Sequence, residues 1–117
     1  MTLQQLLEKL NITPEQVEFN EVIAVIDESY DYHAANFSNG TATNIAGSNE
    51  GSCKIFAFAL LNNLDEATTL ACFGQYYQDD VLQHPDADDH ANIRNFMKTG
   101  WAGINFDTDA LTLKKAP

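Results

Sequence analysis

The sequence predicts an all-α fold: a single compact domain of about five helices around a buried central helix, with a long ordered loop laid over one side. Three observations lead there. A chain of 117 residues can build one hydrophobic core but not two, so residues 1–117 are read as a single domain. Apolar residues recur at helical spacing in four stretches, each bounded by capping or breaking residues. A fifth stretch, residues 53–63, is apolar nearly all round, which marks an enclosed element.

Thr2 is placed to cap a first helix through Leu10, with Leu3, Leu6, Leu7 and Leu10 on one side. Asn11-Ile12 is the break. Thr13-Pro14-Glu15-Gln16 then reads as a start signal, with a threonine cap and proline at the first helical position. The predicted helix runs to about Tyr30 and buries Phe19, Val22, Ile23, Ile26 and Tyr30. Residues 31–52 lose periodicity and fill with Asn, Ser, Thr, Gly and Asp, so they are read as a loop pinned by Tyr32, Phe37 and Ile45. After the central helix, Asp65 is placed to cap a helix of residues 66–83 that His84-Pro85 ends. Asp88 or Asp89 is expected to cap a last helix, residues 90–99, with Gly100 as its stop. The tail from Ile104 to Pro117 is read as at most a short extended piece.

Seventeen acidic residues against six basic ones give a net charge of −11. A field of that sign repels nucleic acid and anionic membranes, so neither is expected as a partner. The N-terminus lacks a signal-peptide pattern, and no apolar run reaches membrane-spanning length. With only Cys53 and Cys72, free thiols in a reducing cytoplasm are expected. The expected protein is a monomer or weak dimer without a cofactor, whose partner is a protein or a small molecule.

A long ordered set of segments stands out: Asn39-Gly40, Ala46-Gly47, Asn49-Glu50-Gly51-Ser52-Cys53-Lys54-Ile55-Phe56-Ala57-Phe58, Leu70-Ala71-Cys72-Phe73-Gly74, Tyr76-Tyr77, Asp80-Val81-Leu82, His84-Pro85 and Asp89-His90. The run continues through Asn92-Ile93-Arg94, Phe96-Met97, Gly100-Trp101 and Gly103-Ile104. Together these segments resemble the HopJ type III effector family, and the resemblance covers roughly residues 19–113. It implies a small bacterial protein of a family named for effectors delivered into plant cells, with no settled reaction or catalytic residue to carry over. The chain departs from the family pattern at Gln78, where a basic residue often follows the tyrosine pair, and at His33-Ala34-Ala35-Asn36, which replaces a proline-containing segment. Such effectors tend to begin with a flexible, serine-rich delivery segment. This chain starts its first predicted helix at once and has four serines, so it is read as the bare domain working inside the bacterium.

The candidate chemistry lies in four places. The glycine-containing turn before Cys53 presents backbone N–H groups at a helix start, where Asn49 and Glu50 are ligand-binding candidates; the plainer reading is that Asn49 and Ser52 cap a buried helix. Cys53, with His90 or His84 as base and Glu50 nearby, is a candidate thiol catalyst, against the plainer reading of a small residue opening a buried helix. His84, Asp86 and His90, with Asp88 and Asp89, are weak metal-ligand candidates, against a proline-broken connector. Arg94, the only arginine, flanks an apolar stripe and needs an anionic partner, for which Glu50 and Asp80 are the candidates. Glu50, Lys54, Tyr76, Arg94 and Trp101 are accordingly expected in one neighbourhood. The leading functional reading is a non-enzymatic binding domain; the alternative is a small enzyme using Cys53, His90 and Glu50, or a metal held near His84 and His90.

Overall fold

The computed structural model describes residues 1–114 and is mixed α/β, which corrects the all-α expectation. Helices α1 (Leu3–Ile12) and α2 (Phe19–Ser29) lead into strand β1 (Tyr30–Tyr32). A hairpin of β2 (Phe37–Asn39) and β3 (Ala42–Asn44) follows, inside the stretch expected to be loop. Then come α3 (Glu50–Leu61), α4 (Glu66–Ala71), α5 (Ala91–Thr99), and strands β4 (Ile104–Phe106) and β5 (Leu111–Leu113). All pairings are antiparallel: β1 pairs with β5, and β2 lies between β3 and β4. Both sheets therefore close on the C-terminal stretch, whose partners lie far away in the chain.

Local chemistry explains most boundaries. The Thr2 hydroxyl accepts from the Gln5 N–H, and the Gln5 side chain accepts from the Thr2 N–H, as a capping box requires. The helix expected from Pro14 is split. Thr13 makes no side-chain cap, Pro14–Gln16 forms only a 3₁₀ turn, and the chain extends at Val17 before Glu21 secures the Glu18 N–H at the start of α2. The β2–β3 turn places Gly40, at φ +60°, first of two turn residues, where a type II′ hairpin needs a positive φ.

The central helix is where the sequence placed it, beginning three residues earlier at Glu50. Cys53, Ile55, Phe56, Ala57, Phe58 and Ala59 of α3 are all buried. Phe56 is ringed by Phe37, Phe73, Phe96 and Trp101, with ring centroids 5.0–6.4 Å away. Trp101 closes this cluster, its indole N–H donating to the Leu64 carbonyl at 3.0 Å and its backbone N–H to Glu66 Oε2 at 3.0 Å.

Asp65 caps α4 through the Thr68 N–H as expected, but the helix predicted for residues 66–83 is interrupted. Gly74 takes φ +56°, and a Cβ there would lie 2.5 Å from the Phe19 backbone nitrogen. The close pass of α2 breaks the helix, which resumes as a π-helical segment, Tyr76–Val81. The last helix starts at Ala91 behind His90, which is left-handed at φ 51° and makes no side-chain cap; neither Asp88 nor Asp89 caps it.

Candidate functional site

A cleft of about 510 Å³ opens where β3, the first turn of α3, the π-helical segment and the first turn of α5 meet. One wall is aromatic. Phe19 and Tyr76 meet edge to face at 5.0 Å, and the His90 ring lies 5.3 Å from that of Tyr76. His90 Nε2 is 2.9 Å from Asp80 Oδ2, so the carboxylate orients the imidazole.

The floor is a network of asparagine side chains drawn from both sheet and helix. Asn44 and Asn92 exchange two amide hydrogen bonds: Asn44 Nδ2 donates to Asn92 Oδ1 at 3.1 Å, and Asn92 Nδ2 donates to Asn44 Oδ1 at 2.9 Å. Asn39 Nδ2 donates to the Asn92 carbonyl oxygen at 2.7 Å and to its Oδ1 at 3.1 Å. Asn49 Nδ2 donates to Asn44 Oδ1 at 2.7 Å. Asn39, Asn44 and Asn92 are all buried, so the network ties β2, β3 and α5 together. Among the buried side-chain atoms of this network, Asn39 Oδ1 has no partner in the described residues.

Two helix starts face this floor. Asn49 and His90 both precede their helices in left-handed conformations, at φ 51° each, and neither side chain caps its helix. Gly51, Ser52, Ala91, Asn92 and Ile93 of those first turns line the cleft.

The residues singled out from the sequence are only partly gathered here. Asn49, Tyr76 and His90 line the cleft, and Glu50 adjoins it on the exposed first turn of α3. Lys54 turns away, pairing with Asp27 at 2.8 Å and lying 5.0 Å above the Tyr32 ring. Arg94 does not meet Glu50. Its Nη2 binds Asp89 Oδ1 at 2.8 Å, and its Nε donates to the Asp89 carbonyl at 2.6 Å, so it fastens the connector that follows the π-helical segment. Asp80, the other candidate partner, offers Arg94 only its backbone carbonyl, at 3.5 Å. Trp101 belongs to the core cluster, so the expected five-residue neighbourhood is not formed. His84 and Asp86 are exposed, and among the described residues no three His, Cys, Asp or Glu side chains gather as a metal would require.

Cys53 is buried beside Tyr32 rather than His90, and burial pushes its thiol up. Burial likewise pushes the Tyr32 hydroxyl, with Cys53 and Glu50 near it, up to about 12, and the Cys72 thiol up to about 12. In the unfolded chain these groups ionise near their ordinary values of 10.0 and 9.0. The folded state therefore holds protons that the unfolded state releases, so stability present at neutral pH is lost as pH rises. Urea unfolding midpoints should be flat from pH 7 to about 8.5 and fall progressively above about pH 9. A midpoint unchanged to pH 11 would show that these groups are not shielded.

Phe19, Asn39, Asn44, Ser52, Asp80 and Asn92 were not singled out as ligand-binding candidates. The available signal was the run Asn36, Asn39, Asn44 and Asn49, amides at short intervals in a stretch that carries no lysine or arginine.

Fold and cleft together define a small mixed α/β protein with an amide-floored cleft. The chain belongs to the HopJ type III effector protein family, whose model matches residues 3–111. It is similar to the protein in a solved structure, "Crystal structure of unknown function protein VPA0580", with 58% sequence identity and a TM-score of 0.96 over 97% of this chain and 95% of that one. No curated protein matches it. No described helix is long and apolar enough to cross a membrane.

Proposed function

We propose that this protein is a non-enzymatic binding domain whose recognition site is the cleft between β3 and the first turns of α3 and α5. The observation that carries this reading is the asparagine network, which holds one wall of the cleft rigid from beneath while backbone N–H groups and the Tyr76 ring remain available to a ligand. Preorganised, uncharged hydrogen-bonding groups beside an aromatic face suit a polar organic ligand or a segment of another protein. The enzyme alternative has less support, because Cys53 is buried with a raised thiol pKa and stands beside Tyr32 instead of His90. The acidic surface supports a partner other than nucleic acid or membrane, and the two buried free thiols suit a bacterial cytoplasm. A monomer or weak dimer fits a chain carrying net charge −11.

The test is a titration of ¹⁵N-labelled protein with free amino acids, dipeptides and short peptides of differing charge. Amide shifts should concentrate on Asn44, Gly51, Ser52, Tyr76, Ala91 and Asn92. Shifts that concentrate on another surface, or a complete panel that moves none of these amides, would overturn the reading.

A further inference from the structure

We propose that the occupant of the cleft is an extended, basic segment of another protein, which adds to β3 as a further strand. This rests on the cleft being the binding site and adds the mode of binding and the chemistry of the partner.

Sheet geometry is the first support. β3 is an outer strand of the β3–β2–β4 sheet, and its three consecutive residues Ala42, Thr43 and Asn44 all line the cleft. Alternate side chains of a strand point to opposite faces, so three in a row line one cavity only when the strand's edge borders it. The register fixes which main-chain groups are presented. Asn39 and Ala42 close the two-residue turn as a hydrogen-bonded pair, so the next pair, Ser38 and Thr43, is the non-hydrogen-bonded one. The Thr43 N–H and C=O consequently point away from β2, toward the cleft. They form a donor and acceptor spaced for one residue of an added strand, the main-chain recognition that strand addition uses. The Phe19–Tyr76 wall is available to the added segment's side chains.

Charge selects the partner. Among the described residues no lysine or arginine lines the cleft, and the nearby cations Lys54 and Arg94 are tied to Asp27 and Asp89. The exposed Glu50 stands at its margin, beside the Asp80 carboxylate that orients His90, on a chain of net charge −11. A second copy pairing β3 against β3 would bring two such charges together, whereas a lysine- or arginine-bearing segment is drawn in.

The probe is an acetylated, amidated hexapeptide alternating lysine and valine, compared with its glutamate–valine counterpart. The basic peptide should shift the cleft amides, and at saturation it should slow hydrogen exchange of the Thr43 N–H, which is unpaired in the free protein. Thr43→Pro, which deletes that N–H without removing a ladder bond, should weaken binding about tenfold or more, whereas Thr43→Val should bind as the parent does. Cleft shifts with unchanged Thr43 exchange would overturn strand addition while leaving the cleft as a binding site. Preference for the glutamate peptide would overturn the charge assignment. A dimer in sedimentation that Thr43→Pro dissociates would identify a second copy as the occupant and overturn the proposal. Shifts confined to a surface outside the cleft would remove the proposal and the underlying reading together. The exchange measurement needs only the parent protein, so it decides the matter even if Thr43→Pro fails to fold.

Discussion

Phe56→Ala should lower the unfolding free energy by roughly 3–5 kcal/mol, the range expected for an aromatic side chain removed from a core that cannot close over the space. Phe56 is fully buried within the buried run 55–59 of α3, and its four aromatic neighbours come from β2, the segment after α4, α5 and the turn that follows α5. Each neighbour is anchored by its own element, so none can move far into the cavity. Domains of this size hold only about 5–15 kcal/mol in total, so the variant should lose a large share of its stability. Denaturant unfolding with an unchanged slope and a much lower midpoint is the expected result. A midpoint close to the parent's would contradict the central placement of α3.

Asn92→Ala should cost roughly 2–4 kcal/mol, most of it polar in origin. The side chain accepts from Asn39 and Asn44 and donates to Asn44, all within a buried network. Its removal leaves the Asn44 Nδ2 of a buried residue without its acceptor, and an orphaned buried donor costs about 1–3 kcal/mol. Asn92→Leu separates the causes, because it leaves no cavity and removes the side-chain hydrogen bonding. Both variants should unfold earlier than the parent, and the amides of β3 and the start of α5 should exchange faster. If Asn92→Leu is as stable as the parent, the network does not hold the cleft wall, and the binding role proposed for the cleft loses its main support.

The helical framework was legible where the information is local. The Thr2 cap, the Asp65 cap and the stop at Gly100 each depend on a few adjacent residues, and each stands in the structure; the apolar 53–63 stretch is helical to Leu61 and buried over residues 55–59, with Leu60 and Leu61 exposed. The break at Gly74 was hidden because its cause is the approach of Phe19, more than fifty residues earlier in the chain. The site was half visible. Asn49 and Tyr76, ligand-binding candidates from the sequence, and His90, a candidate base, line the cleft, but Arg94 found its carboxylate five residues away at Asp89 instead of at Glu50. A flexible side chain beside a carboxylate-rich connector takes the nearest partner, and the distant one must compete against it.

By itself the sequence determined the family, the net charge of −11 and the buried helix at the centre. These follow from composition, capping chemistry and an apolar period, all of which act within a few residues. Tertiary structure alone decided the mixed α/β class. Strands of three residues carry too little period to be read, and β1 and β2 exist because β5 and β4, over sixty residues away, complete their hydrogen bonds. It also decided the cleft. Asn39 and Asn44 in the hairpin and Asn92 on α5 carry no mark in the chain of their common purpose, and only the packing of the sheet against that helix removes them from water and makes them partners.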